Sequence, residues 1–95
     1  MTEYRTHLKI VGEILTTTMN TADYDDGTSV THIIRKANVS HSRLSLILHN
    51  LVSQGLLEQI NSNKSSKYKI SPSGREFLSA YKTFRDFSED FGLSI

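Results

Sequence analysis

Two short amphipathic segments meet across a two-residue junction, and this junction limits the possible folds more than any other feature of the sequence. Val30, Ile33, Ile34 and Ala37 supply the apolar face of the first segment, and Leu44, Ile47, Leu48 and Leu51 that of the second, both at helical spacing. Between them stand only Asn38, which tolerates left-handed backbone, and Val39; Ser40 follows as a helix cap. Thr28 or Ser29 is expected to cap the first of these helices. Gly55 stops the second, and beyond it the apolar period shortens. Leu57–Ile60 and Lys67–Ile70 read as two short strands around the polar turn Asn61–Ser66, which makes a β-hairpin.

Helices are expected on either side. Tyr4, Leu8, Val11 and Leu15, widened by Ile10 and Ile14, mark a helix from about Glu3 to Met19, ended by the polar stretch Asn20–Gly27. Ser71 as cap, with Pro72 in the first turn, starts a last helix that runs to about Phe91, with Gly92 as its stop. The order is helix, helix, helix, hairpin, long helix. This predicts a mainly α chain with a small β-hairpin: a winged helix-turn-helix followed by a long C-terminal helix. Residues 1–71 are expected to form the winged unit, and residues 72–95 the helix that joins two copies.

With 95 residues there is room for one core. The absence of Cys excludes disulfides and Cys-based zinc or redox sites. The net charge of +1 hides a polarised chain. Residues 1–27 carry two basic against five acidic side chains, residues 28–75 seven against Glu58 alone, and residues 76–95 two against four. A basic middle between acidic ends points to a polyanion as partner. Met1-Thr2-Glu3-Tyr4-Arg5 lacks the apolar stretch of a secretion signal, and no apolar run is long enough to span a bilayer. The expected location is cytoplasmic.

The run Asn38-Val39-Ser40-His41-Ser42-Arg43-Leu44, continuing through Leu48, Leu51, Val52, Gly55-Leu56-Leu57 and Glu58, resembles the recognition-helix region of small archaeal winged-helix DNA-binding proteins. Tyr68-Lys69-Ile70-Ser71-Pro72-Ser73-Gly74-Arg75-Glu76-Phe77-Leu78 resembles their second wing strand and the start of their last helix. The likeness covers roughly residues 5–92, and the Asn20–Gly27 loop is longer and more acidic than the family pattern. The resemblance implies double-stranded DNA binding. It also implies dimerisation through an antiparallel coiled coil of C-terminal helices, as in the family's chromatin-type members.

The residues themselves allow such an interface. With its leucines turned inward, the third helix presents Ser42, Arg43, Leu46, His49, Asn50 and Ser53, with His41 in its first turn. Arg43 is suited to guanine and Asn50 to adenine, each through two hydrogen bonds. Ser40 and Ser42 sit near a helix N-terminus, where phosphate contacts are favourable. Leu46 either meets a thymine methyl, covers a gap beside the wing, or is an ordinary exposed leucine. On the hairpin, Asn63, Lys64, Lys67 and Lys69 are placed for phosphates or a minor groove, although edge-strand lysines also block aggregation. Arg35 and Lys36 contact the DNA backbone or simply balance a helix dipole.

The last helix carries a second pattern. Phe77, Phe84 and Phe91 lie seven apart, with Ala80 and Phe87 at the intervening positions, which is an a/d seam flanked by Tyr81 and Leu78. Its outer face pairs Lys82 with Asp86 and Arg85 with Glu89 at helical spacing. Phe77 to Tyr81 is expected to pack under the first helix, leaving Phe84 to Phe91 for a second copy. The alternative folds the whole stripe back onto the first helix.

No enzyme is expected, because no phosphate loop, nucleophile elbow or paired catalytic carboxylates can be found. No cofactor or small-molecule ligand is implied. No metal site is expected either: His7, His32, His41 and His49 lack ligand spacing, and Asp23–Gly27 fails the calcium-loop pattern. The expected partners are duplex DNA and a second copy of the chain. The rival readings are an architectural protein with little sequence preference and a winged-helix protein-interaction module.

Overall fold

The computed structural model describes residues 6–20, 27–61 and 66–93. Four helices and three strands follow in the order α1 (His7–Asn20), β1 (Thr28–Ser29), α2 (Val30–Ala37), α3 (His41–Ser53), β2 (Leu57–Asn61), β3 (Ser66–Ile70) and α4 (Pro72–Asp90). The chain therefore has the expected class and element order, with two local corrections. Helix α1 starts at His7 rather than near Glu3, because Thr6 is its cap and accepts the backbone N–H of Lys9 at 3.1 Å. Strand β1 was not expected. It pairs antiparallel with β3, placing Thr28 opposite Tyr68 and Ser29 opposite Lys67, and makes a three-stranded sheet in the order β1-β3-β2. A two-residue strand has no period of its own, so only its long-range partner reveals it. Tyr4 and the Asn20–Gly27 loop, from Thr21 to Asp26, lie outside the described residues.

One core joins all four helices. Ile10, Ile14 and Leu15 of α1, Ile33 of α2, Leu44 and Leu48 of α3, Leu57 of β2 and Leu78 of α4 are fully buried. The β2–β3 register sets Leu57 opposite Ile70, so the face that holds them turns inward. The buried threonines near the end of α1 satisfy their hydroxyls locally: Thr17 Oγ1 donates to the Glu13 carbonyl and Thr18 Oγ1 to that of Leu15, both at 2.9 Å.

Two glycines set how closely α4 approaches. A side chain on Gly12 would run into the Tyr81 ring, so the absence of a Cβ on α1 is what seats that ring. One on Gly74 would run into the Leu56 carbonyl, which brings the first turn of α4 against the turn after α3. Ser71 holds the same junction. Its Oγ accepts the Gly74 N–H at 2.9 Å and donates to the Gly55 carbonyl, and its N–H bonds the Leu56 carbonyl at 3.2 Å. The position of α3 relative to α4 is therefore set by backbone hydrogen bonding as well as by packing.

Candidate nucleic-acid interface

The α2–α3 turn is held at three points. Asn38 adopts the left-handed conformation (φ 54°, ψ 53°) and donates its N–H to the Ile34 carbonyl at 2.9 Å. Val39 is buried. Ser40 caps α3, its Oγ accepting the Arg43 N–H at 3.4 Å, as Ser29 caps α2 through His32 at 3.3 Å. The hydroxyl expected to meet a phosphate is thus already an acceptor in a cap, which leaves its own hydrogen to donate.

From this turn α3 runs with Leu44, Ile47, Leu48 and Leu51 buried, and with His41, Ser42, Arg43, Leu46, His49, Asn50 and Ser53 exposed together. Ser45 shares the exposed surface and was missed, although its position one turn from Ser42 and His49 marks it. Asn50 also borders a recess with His7, Val11 and Phe77, so it stands at the edge of the face. The face is polar, with a formal positive charge at Arg43; Leu46 is its only large apolar side chain, 69% exposed.

The wing follows directly. Lys67 and Lys69 are half-buried and share the outward face of β3, two residues apart. Lys69 lies opposite Glu58 in the β2–β3 register and Lys67 opposite Ile60. The Glu58 charge offsets part of that of Lys69. Asn63 and Lys64 lie outside the described residues. Burial holds the Tyr68 hydroxyl above the ordinary tyrosine value.

Arg35 and Lys36 are exposed in the last turn of α2. Lys36 lines a groove of about 350 Å³ with Lys9, Glu13, Tyr81 and Arg85, and no residue of α3 borders it. Among the described residues no three His, Asp or Glu side chains converge as metal ligands, and no helix is long and apolar enough to cross a membrane.

Helix α4 divides into two halves. Leu78 and Tyr81 belong to the core and Phe77 packs against it, whereas Ala80 is exposed. Farther along, Phe84, Phe87 and Phe91 are 54%, 60% and 68% exposed, so none of them folds back onto α1. Phe91 is the residue that caps α4 rather than part of its last turn. Gly92 in left-handed geometry then reverses the chain: its N–H bonds the Glu89 carbonyl and that of Leu93 bonds the Ser88 carbonyl, both at 2.9 Å. The Phe87 and Phe91 rings lie 5.1 Å apart, tilted by 59°.

The expected Arg85–Glu89 pair does not form. Arg85 instead bonds Asp86 at 3.1 Å and lays its guanidinium over the Tyr81 ring, 5.8 Å from the centroid. Helical side chains lean toward the N-terminus, which brings Arg85 back over Tyr81 rather than forward to Glu89. Burial pushes the Tyr81 hydroxyl above its ordinary value, and the neighbouring Arg85 works against that shift.

Three helices, a tight α2–α3 turn and a hairpin wing define a winged helix-turn-helix. The chain belongs to the winged helix-turn-helix family, whose model matches residues 4–89. Its fold is similar to that of Sso10a-2, a DNA-binding protein from Sulfolobus solfataricus (TM-score 0.80, 21% identity, covering 92% of this chain and 85% of that one). It is similar as well to AF1382 from Archaeoglobus fulgidus (0.72, 18%, 88% and 91%). A third similar fold is the transcriptional regulator BldR from Sulfolobus solfataricus (0.70, 20%, 86% and 58%). No curated protein matches the chain by sequence.

Proposed function

We propose that the chain binds double-stranded DNA through α3 and the β2–β3 wing, as a homodimer joined by the second half of α4, and that it regulates transcription. The observation that carries this reading is the exposed face of α3. It gathers Arg43, His49, Asn50 and three serines ahead of a wing bearing lysines, on a chain whose two ends are acidic. The family and the descriptions of Sso10a-2 and BldR support it. On this reading Arg43 and Asn50 meet base edges, while Ser40, Ser42, His41, Arg35, Lys64, Lys67 and Lys69 meet the backbone. Residues 1–71 face DNA, and residues 72–95 join the copies, with Leu78 and Tyr81 anchoring that helix to its own core. Association with the nucleoid in the cytoplasm follows from the same reading. The activity is binding, without catalysis, cofactor or small-molecule ligand.

An interaction module is disfavoured, because Leu46 alone does not make an apolar docking patch. An architectural protein differs from a regulator in what Arg43 does, and one titration series separates them. Duplex binding should fall about 10³–10⁵-fold between about 50 and 200 mM salt if roughly 6–10 phosphates are contacted. Arg43→Ala should cost selected sites about 1–3 kcal/mol more than random duplex, whereas Lys67→Ala should weaken all duplexes alike. Equal losses for Arg43→Ala would make the protein architectural. Absent or salt-insensitive binding would refute DNA recognition.

A further inference from the structure

Resting on the DNA-binding reading above, we infer that Leu46 reads the 5-methyl group of a thymine, so that the protein distinguishes thymine from the same base without its methyl. A helix turns about 100° per residue, which sets Leu46 roughly 150° from the mean direction of Leu44, Ile47, Leu48 and Leu51. Ser42, His49 and Ser53 share this outermost ridge, and all four side chains are exposed. On a helix lying in a major groove, this ridge is the part nearest the base edges.

Leu46 is 69% exposed, so its isobutyl group contributes little to the core of its own chain. Its exposed neighbours on the helix are Ser42, Arg43, Ser45, His49 and Asn50, all able to hydrogen-bond and none apolar, while the adjacent Ile47 is buried. A lone apolar group ringed by polar ones does not fit an apolar protein surface, which would need a contiguous patch. It does fit the major-groove floor, where donors and acceptors surround a single apolar feature, the thymine methyl. Arg43, one turn earlier and about 4.5 Å back along the axis, lies little more than one base-pair rise of about 3.4 Å away. Leu46 and Arg43 are thus spaced to read neighbouring base pairs, the one by apolar contact and the other by hydrogen bonds.

Deoxyuridine isolates this contact, because it keeps the pairing and the O4 acceptor of thymidine and removes only the methyl. Duplexes are selected from a random pool with the wild-type protein, and each thymine is then replaced singly by deoxyuridine. At one thymine per half-site the wild type should lose about fourfold in affinity, the value of burying one methyl group. Leu46→Ala should bind the two duplexes equally, near the affinity of the wild type for the deoxyuridine form. Leu46→Met, still long and apolar, should retain the discrimination. An unchanged thermal melt of Leu46→Ala shows that the fold is intact. Equal wild-type binding to both duplexes, with salt-dependent binding preserved, overturns the thymine contact and leaves DNA binding standing. Discrimination that survives in Leu46→Ala overturns its assignment to Leu46. No binding to any duplex overturns both.

Discussion

Replacing Phe84 and Phe87 together by Glu should turn a dimer into a folded monomer. The two rings are 54% and 60% exposed in one chain. For a side chain of about 200 Å², each therefore leaves roughly 110 Å² in water. At about 25 cal/mol per Å², covering one ring contributes about 3 kcal/mol, and the four rings of a two-fold dimer contribute about 11 kcal/mol at most. Phe91 and Leu93, similarly exposed at 68% and 62%, about double that figure. Association costs about 4–15 kcal/mol in lost rigid-body freedom, so a stable dimer needs most of the stripe. Removing half of it, and placing four carboxylates where the rings were, leaves no net driving force. The core should not notice, because neither ring belongs to it. Sedimentation velocity at micromolar concentration should show a dimer for the wild type and a monomer for the double variant, with nearly equal melting temperatures. The monomer should bind duplex DNA much more weakly, having one recognition helix instead of two. A monomeric wild type, or a variant that still dimerises, would refute the reasoning.

Two further expectations concern the frame that holds α3. Ser71→Ala removes a cap and leaves the Gly55 carbonyl without its hydroxyl partner, which should cost about 2–4 kcal/mol and lower the melting temperature by at least about 10 °C. Ser40→Ala, an exposed cap with a 3.4 Å bond, should cost about 0.5 kcal/mol; equal losses in thermal melts would show that the Ser71 junction is not special. Burial raises the Tyr81 hydroxyl above 10.0, so the folded state holds that proton more tightly than the unfolded chain. Its contribution is complete below pH 10 and is lost as pH rises beyond it, so denaturant titrations should show stability falling more steeply in the wild type than in Tyr81→Phe. Parallel curves would refute the assignment.

Local physics carried most of the helical reading. The Asn38 turn, the Ser29, Ser40 and Ser71 caps, the Gly55 and Gly92 stops and the inward leucines of α3 all depend on neighbours within one turn, so composition and spacing reveal them. The outward face of α3 follows from the same period, which is why its candidate residues could be named before any contact was known. Tertiary structure decided what depends on partners distant in sequence. Strand β1 exists only because β3 lies beside it. Lys36 is drawn into a groove with Tyr81 and Arg85, forty-odd residues away. Tyr81 is seated on α1 because Gly12, far from it in sequence, has no side chain there. The aromatic seam was legible as a spacing, but its division was not. Phe77 and Tyr81 pack on their own chain while Phe84, Phe87 and Phe91 stay in water, because a 19-residue helix outreaches the core of so small a domain.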